Sequence, residues 1–568
     1  MTADSNAAAR QPVVVVTGGG AGIGAAIAEA VGRSGAYVVT VDPGVTVDGL
    51  GQDDAPAETT ADRIVVAGGS ARASNTSVTD AAAIDALFVG LADEFGGLDA
   101  VINVAGISRP SGYAEGDEQA WASVLSVHLD GYLNVLRSAL PIMSAAGRGR
   151  ILGVTSGSGW RPANAGAYSC AKRAVAALTW QLGKVAPAGV TVNALSPIAA
   201  TRMVTSGLRQ QAPASSAGDQ SQTGGLSLAI AAMPSPDQIG PVGAYLASDA
   251  FAWSSGNIIF SNGSEVAQIL PPRALEVART SDVADLAHAL DVVIPAAFAP
   301  AEAAQETNGA SNGRFERVFD GGFDEGASTE GGEVSGTQSC LVVTDDPRLD
   351  SGIRDALASR GVKVVGIASG VPATDFVGAA EQLAQAASDA DGIDAVVVAR
   401  AGSGSSGSGA SWLQVLDEHA EIVDAIRSDV AWVRAVSDHA RESGRPMRVV
   451  TVTDATTSGG RSRAQAAAQL SRAAHLVPDI ETDAFAISVE TDAESRATSV
   501  GELVAYLAGA EGAGAMSGAE LVVDAEWIGL RSHPHPDASI SFGGPELPEW
   551  VDDTLRTVVQ GASARSGA

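Results

Sequence analysis

The chain has 568 residues, which is more than one hydrophobic core usually spans, so we expect two domains or more. Hydrophobic residues make up 45% of it and aromatic residues only 4%, a composition that favours helices packed on a sheet and therefore an α/β fold. The formal net charge of -31 argues against nucleic acids and anionic membranes as partners.

The first predicted elements form a nucleotide site. A buried strand at residues 13–16 is followed at once by a glycine-rich run at 17–24 and then by a helical stretch at 25–33. Glycines let the backbone turn tightly and bring its N–H groups, with the helix N-terminus, against a pyrophosphate. The residues of this loop that we expect to contact a dinucleotide are Gly18, Gly20, Ala21, Gly22, Ile23 and Gly24.

The second predicted strand indicates which dinucleotide binds. This strand, at residues 37–41, ends at Asp42. A carboxylate there can accept hydrogen bonds from the ribose hydroxyls of the adenosine and would repel a 2′-phosphate. The sequence therefore predicts NAD rather than NADP as cofactor, although an Asp before Pro43 could also simply form a turn.

An acid/base pair lies further along the first half. Tyr168 and Lys172 open a helical stretch at 167–182, and their spacing of four residues places both on one helix face. A neighbouring ammonium should lower the pKa of the phenol, so that the phenol can exchange a proton with an alcohol or a carbonyl. Ser156 follows the strand at 150–154, from which its hydroxyl can reach the same substrate oxygen.

These motifs together resemble the short-chain dehydrogenase/reductase family over residues 12 to about 265. The resemblance implies a general acid/base at Tyr168, a lysine at 172 that binds the nicotinamide ribose, and a Ser156 that polarises the substrate oxygen. It adds the run Asn103, Val104, Ala105 and Gly106 on the adenosine side. Further cofactor contacts implied by the resemblance are Asn103, Ala105, Gly106, Tyr168, Lys172, Pro197 and Thr201.

Two positions depart from the family pattern. Ser156 stands one residue closer to the tyrosine than is usual, which leaves Ser158 as an alternative. His128 occupies the place of a common asparagine, so the usual lysine–water proton relay is in doubt. A neutral imidazole could carry a proton itself, and we therefore include His128 among the candidate catalytic residues.

Several short stretches resemble one branch of the family more closely. The run at 127–131, the run at 196–203, the long insertion after Asp42 and the extension at 271–298 are similar to the (3R)-hydroxyacyl-CoA dehydrogenase units of multifunctional enzymes and to 17β-hydroxysteroid dehydrogenases. This resemblance implies a hydroxyacyl thioester or steroid-like substrate. The stretch from 204 to 234 is expected to cover the substrate pocket.

The second half repeats the pattern of the first. Residues 97–101 recur at 392–396, and Trp121 and His128 recur at the same spacing as Trp412 and His419. We therefore predict two Rossmann-like, doubly wound parallel-sheet domains in tandem. The expected division is a catalytic domain at 1–270, its extension at 271–305, a linker at 306–336, a degenerate domain at 337–530, and a C-terminal extension and tail at 531–568.

The second copy is expected to lack both functions. Its first strand, at 341–343, leads into acids and a proline instead of glycines, and Ala368 stands in the place of Asp42. Counting from the preceding strand, Ala466 and Leu470 fall opposite Tyr168 and Lys172. We predict that this half is a non-catalytic, intramolecular dimerisation partner, with a further homo-oligomer left open.

The remaining features favour a cytoplasmic protein that binds a small molecule. Cys170 and Cys340 are too few for a disulfide framework and lack the partners of a zinc site, so no metal is expected. No run of apolar residues approaches the length of a membrane span. Two alternatives to an NAD-dependent alcohol dehydrogenase stay open: a 3-ketoacyl or xenobiotic ketone reductase, and a non-catalytic NAD-binding scaffold or sensor.

Overall fold

A computed structural model describes residues 10–52, 55–205, 233–281, 283–305, 337–368, 370–400, 411–477, 481–492 and 496–566. Strands and helices alternate along both halves. The central strands are short runs of Val, Ile, Leu and Ala that are buried on both faces, as strands of a covered parallel sheet must be.

The first fifteen elements build the first half. In chain order they are β1 Val13–Thr17, α1 Gly22–Arg33, β2 Tyr37–Val41, α2 Pro56–Val66, β3 Ser70–Ser74, α3 Ala81–Phe95, β4 Ala100–Asn103, α4 Glu118–Leu125, α5 Gly131–Ala146, β5 Gly149–Val154, α6 Gly166–Val185, β6 Val190–Pro197, α7 Gly240–Leu246, β7 Ile258–Ser261 and β8 Glu265–Leu270.

The remaining elements follow the same alternation. They are β9 Ala274–Arg279, α8 Leu286–Val293, α9 Ala299–Ala303, β10 Ser339–Thr344, α10 Pro347–Ser359, β11 Lys363–Gly366, α11 Phe376–Ala390, β12 Ala395–Arg400, α12 Trp412–Glu418, α13 Ile422–Ser443, β13 Met447–Asp454, α14 Ser458–Arg472, β14 Thr482–Val489, α15 Arg496–Gly509, β15 Glu520–Val523, β16 Trp527–Arg531, β17 His535–Ser541 and α16 Trp550–Ser566.

The first sheet has nine strands in the order β17-β8-β7-β6-β5-β4-β1-β2-β3. All neighbours are parallel except the pairs β7–β8 and β8–β17. The run from β3 to β6 has the strand order of a doubly wound dinucleotide-binding sheet, in which ligands bind beyond the carboxyl ends of the strands near β1 and β4. The predicted α/β class is confirmed.

The second sheet has eight strands in the order β11-β10-β12-β13-β14-β15-β16-β9. Its strands β10 to β16 take the same relative places as β1, β2 and β4 to β8 in the first sheet. Within the described ranges 337–368 and 370–400, a single helix joins β11 to β12, and no strand corresponds to β3. The prediction of two Rossmann-like domains is confirmed.

The two C-terminal extensions pack on the opposite halves. We call β9 with α8 and α9 the first arm, and β17 with α16 the second arm. The first arm was expected to extend the first domain, but β9 pairs with β16 of the second sheet, and Phe298 lies in the second core. The second arm returns to the first half, where β17 pairs with β8 and Leu555 is buried. Each arm thus closes the edge of the other half's sheet.

The first arm contains the one helical segment of the described residues that is long and apolar enough to cross a membrane, at Leu286–Ala303. Length and composition alone do not show that this segment crosses a membrane. Leu290, Ile294 and Phe298, spaced four residues apart, form one face that is buried against the second core. Packing on α15 therefore accounts for this apolar face.

One hydrophobic core runs through both halves. Helices α4 to α6 pack against α12 to α14, and the buried residues of the two sets form a single cluster. A buried ion pair crosses this interface: Arg173 Nη2 on α6 donates to Glu520 Oε2 on β15 over 2.7 Å, and Arg173 Nε donates to Gln465 on α14. Arg173 is 0% and Glu520 2% exposed. If one of the two were removed, water could therefore not take its place as a hydrogen-bond partner.

Candidate active site

The loop between β1 and α1 is shaped by its glycines. Gly18 and Gly22 have φ values of 65° and 55°, which side chains rarely allow. A Cβ on Gly18 would lie 2.7 Å from the backbone nitrogen of Ala105, and one on Gly24 would lie 2.0 Å from the oxygen of Gly18. Only glycine fits these two positions, and the loop is therefore held close to the end of β4.

The N-terminus of α1 presents backbone donors to this loop. Among the residues that the structure describes, no side chain caps the helix at its N-cap residue, Ala21. The N–H groups of the first turn can therefore serve an external anion, and the helix dipole favours negative charge there. This geometry fits the pyrophosphate of a dinucleotide.

Asp42 lies beside the glycine loop. Its Oδ2 accepts a hydrogen bond from the Gly20 N–H over 3.3 Å, and its Oδ1 accepts one from the Gly44 N–H over 2.9 Å. Its carboxylate stands at the carboxyl end of β2, where a dinucleotide sheet receives the adenosine ribose. Its position fits the ribose contact expected from the sequence.

The other predicted cofactor residues lie at the ends of β4 and β6. Thr17 Oγ1 donates to Asn103 Oδ1 over 2.6 Å, which ties β1 to β4 at this edge. Thr201 lies near Gly22, since a Cβ on that glycine would be 3.6 Å from the Thr201 methyl carbon. Pro197 ends β6. The sheet thus brings together residues from four separate segments, which are the glycine loop, the end of β2, the end of β4 and the stretch from the end of β6 to Thr201.

The acid/base group is assembled on β5 and α6. Tyr168 lies in the first turn of α6, and its hydroxyl approaches Ser156, which follows β5. Lys172 Nζ donates to Val154 O over 2.7 Å and lies 5.6 Å from the centre of the Tyr168 ring. This approach to Tyr168 favours Ser156 over Ser158 as the predicted hydroxyl.

The electrostatics of this group differ from the expectation. Burial raises the pKa of Tyr168, and the interaction with the Ser156 hydroxyl opposes that rise. Burial also lowers the pKa of Lys172 to about 7, because its ammonium loses hydration. The sequence predicts that Lys172 lowers the tyrosine pKa, but the ammonium is directed to the Val154 carbonyl and the effect of burial is larger.

His128 adjoins the tyrosine from a π-helical turn at Ser126–Asp130. Its ring meets the Tyr168 ring edge-on with 5.0 Å between centres, and its Nε2 lies 2.7 Å from Ile107 O. Burial, with a smaller contribution from Lys172, lowers the His128 pKa to about 3. The imidazole is therefore neutral at pH 7, as a proton relay would require, and its relay role stays a prediction.

Sequence reasoning missed Trp160, which links two segments of the candidate site. This residue is buried, and its Nε1 donates to Ser196 Oγ over 2.9 Å. It thereby connects the loop after Ser156 to the end of β6. An isolated tryptophan in a run of Gly and Ser was the available signal, because a large aromatic in such a loop usually anchors it. The predicted pocket cover at 204–234 lies mostly outside the described residues.

The second half fills its own anion position with a side chain. Asp346 precedes α10, and its Oδ1 accepts from the N–H groups of Arg348 and Leu349. Its Oδ2 accepts from Arg496 over 2.7 Å. An internal carboxylate therefore occupies the helix N-terminus that α1 leaves to an external anion.

The second half also lacks the tyrosine and lysine. His419, which recurs at the spacing of His128, has its Nε2 2.8 Å from Ser462 Oγ. The counterparts expected for Tyr168 and Lys172, Ala466 and Leu470, both lie on α14, and neither side chain can exchange a proton. Their exact correspondence to Tyr168 and Lys172 stays a prediction.

Comparison with known proteins places the first half among oxidoreductases. A family model described as short chain dehydrogenase matches residues 12–212. A cis-4-hydroxycyclohexanecarboxylate dehydrogenase of Sinomonas cyclohexanicum is 35% identical over 258 residues, which cover 45% of this chain and 96% of that protein. A 3-oxoacyl-[acyl-carrier-protein] reductase of Vibrio cholerae is 30% identical and covers 44% of this chain and 96% of that protein.

A third relative is much longer than the matched region. The peroxisomal hydratase-dehydrogenase-epimerase of Saccharomyces cerevisiae is 36% identical over 203 residues, which cover 35% of this chain and only 22% of that protein. All three matches are confined to less than half of this chain.

Proposed function

Because this chain belongs to the short-chain dehydrogenase/reductase family, we propose that its first half is an NAD-dependent enzyme that interconverts a secondary alcohol and a ketone. The observation that carries this proposal is the group formed by the half-buried Tyr168 and Ser156 and the buried Lys172 at the carboxyl ends of the strands. A nucleotide site and an acid/base pair at one edge of one sheet are what hydride transfer at a carbinol carbon needs.

The residues of this chain would have distinct roles in the reaction. NAD, when bound, accepts or supplies the hydride. The glycine loop and the α1 N-terminus would hold its pyrophosphate, and Asp42 the adenosine ribose. Tyr168 Oη takes the hydroxyl proton during oxidation and returns it during reduction, while Ser156 Oγ holds the substrate oxygen beside it. Lys172 would hold the ribose next to the nicotinamide.

The preference for NAD rests on Asp42, which would repel a 2′-phosphate. Asp42→Ala should narrow the ratio of kcat/KM for NAD over NADP by about ten-fold or more, since removing like-charge repulsion of this kind is worth over 1 kcal/mol. Asp48→Ala is the matched control, because Asp48 lies in the same insertion but bonds to Thr46 and Leu50. A wild type that turns over faster with NADP would contradict the assignment.

The substrate class is proposed from the narrower resemblance. The runs around His128 and Thr201 are similar to hydroxyacyl dehydrogenase units, and the yeast relative carries dehydrogenase in its name. We therefore propose a 3-hydroxyacyl thioester, with a steroid-like hydroxyl next. The reductase from Vibrio cholerae supports the alternative of a ketone reductase that uses the same residues.

A direct test is NAD reduction with a panel of (3R)- and (3S)-3-hydroxyacyl-CoAs and hydroxysteroids, followed at 340 nm (roughly the absorbance maximum of any reduced nicotinamide). The assay is best run at alkaline pH, because oxidation needs the phenolate and burial raises the Tyr168 pKa. We expect turnover with at least one member. NADPH-dependent reduction of the matching ketones alone would favour the reductase, and NAD binding without turnover in either direction would favour a scaffold.

We propose that the second half is a non-catalytic partner that supports the first within one chain. Its helices α12 to α14 cover α4 to α6, its sheet edge is closed by the first arm, and its anion position is taken by Asp346. A fused copy can supply the surface that a second subunit would otherwise provide.

A further inference from the structure

We propose that Gln469 and Arg472, on helix α14 of the second half, are positioning residues for the active site of the first half. This inference deepens the proposed function and rests on it. It assigns to the non-catalytic half a specific task, which is to fix the loop that follows Ser156.

Three carbonyl groups of that loop receive their hydrogen bonds from α14. The side-chain amide of Gln469 donates to Ser158 O over 3.0 Å and to Arg161 O over 2.7 Å. Arg472 Nη1 donates to Trp160 O over 2.9 Å. The loop therefore depends on the other half for the partners of these carbonyls, which burial would otherwise leave unsatisfied.

Both donors are held rigidly. Gln469 is 0% exposed, and its amide nitrogen has two hydrogens, each of which is used on this loop. Arg472 is also buried and carries its guanidinium on the last turn of α14. Because neither side chain can reach solvent for alternative partners, a shift of the loop would break bonds that nothing replaces.

The loop in turn sets the position of the catalytic hydroxyl. Ser156 Oγ accepts from the Ser158 N–H over 3.3 Å, and the Gly159 N–H donates to Ser156 O over 2.9 Å. Gly159 also packs on α6, since a Cβ there would lie 2.9 Å from the Lys172 carbonyl carbon. Fixing the carbonyls of 158, 160 and 161 thus fixes Ser156 relative to Tyr168 and Lys172.

The same contact reaches a second segment of the candidate site. The carbonyl of Trp160 is bonded to Arg472, and its indole N–H is bonded to Ser196 on β6. Through Trp160, α14 therefore holds both the loop after Ser156 and the end of β6. Because Ser156 is assigned to the substrate oxygen and the glycine loop to NAD, substrate affinity should depend on α14 more than NAD affinity does.

The chain offers a matched control on the same helix. Gln465 is likewise a buried glutamine at the interface, but it bonds to Arg173 and Glu520 and not to the loop. We therefore compare Gln469→Leu with Gln465→Leu in the full chain. Both remove polar contacts between the halves, and Gln465→Leu should lower the melting temperature at least as much.

The first readout is independent of activity. Backbone hydrogen exchange, followed by mass spectrometry on peptides that cover residues 157–161, should be about ten-fold faster in Gln469→Leu and unchanged in Gln465→Leu. Equal exchange in the two variants, or no change in Gln469→Leu, would overturn the inference. This readout decides the inference even if no panel alcohol is oxidised, a result that would count against the proposed function alone.

The second readout separates positioning from plain stability. With the best alcohol of the panel, Gln469→Leu should raise KM and lower kcat/KM by about ten-fold, with the Kd for NAD unchanged. Arg472→Lys, which keeps one donor for Trp160 O, should retain more of kcat/KM than Arg472→Met. Losses that follow melting temperature across all four variants would show that α14 contributes stability only.

Discussion

Replacement of Tyr168 with phenylalanine should lower turnover by about 10²–10⁴-fold, the usual contribution of a general acid/base group. Only the hydroxyl is removed, and the ring can keep its edge-on contact with His128 and its place beside Lys172. The fold and the Kd for NAD should therefore change little. Steady-state kinetics measures the turnover, and a fluorescence titration with NAD measures the Kd.

Tyr37→Phe is the control for this variant. Tyr37 is the first residue of β2, so it lies at the amino end of that strand and away from the carboxyl ends that carry the site. Its ring lies 4.5 Å from that of Phe95. Turnover in this variant should match the wild type. If Tyr168→Phe also kept near wild-type turnover, the proton would have to move through another group and the catalytic assignment would be wrong.

Replacement of Glu520 with leucine should lower the free energy of unfolding by about 3–5 kcal/mol, because it leaves a fully buried Arg173 without its charged partner. Burial already lowers the pKa of that arginine to about 10, and Glu520 opposes the shift. The unpaired Arg173 would lie at the interface between the halves, one residue after Lys172. Urea denaturation measures it.

The double variant Arg173→Leu/Glu520→Leu distinguishes an unpaired charge from a damaged core. With both charges removed, most of the lost stability should return, since a buried ion pair gives little net stabilisation over apolar residues of similar size. A double variant as unstable as Glu520→Leu would show that packing, and not the unpaired arginine, determines the loss.

The sequence predicted the central strands closely because their patterns are strong. Strand β2 lies at the expected 37–41, and β1 and β5 each extend one residue beyond the expected 13–16 and 150–154. Buried runs of Val, Ile and Leu between glycine-rich turns allow few alternatives. The same reasoning located the glycine loop and the helix that carries Tyr168.

The exchange of the two arms could not be predicted in this way. The strands β9 and β17 each pair through backbone groups with the edge of a sheet, and nothing in their side chains specifies which sheet. Chain order suggests that 271–305 stays with the first domain. Burial of Phe298 in the second core and of Leu555 in the first shows that tertiary packing decides otherwise.

Electrostatic expectations failed for a related reason. The spacing of Tyr168 and Lys172 indicates a shared face, but not how deeply that face is buried or that Val154 O accepts from the ammonium. The roles of Gln469 and Arg472 were also out of reach, because their partners lie about 300 residues away in the chain. Neither the depth of burial of a helix face nor a contact between residues far apart in the chain can be read from the local sequence pattern.

The central claim is that the first half alone binds the dinucleotide, and calorimetric titration of the full chain with NAD tests it most directly. We predict one site per chain, because Asp346 occupies the corresponding helix N-terminus of the second half. We also predict that Gly18→Val abolishes this binding, since a Cβ there would collide with the end of β4. Two equivalent sites per chain, or binding that survives Gly18→Val, would contradict the account.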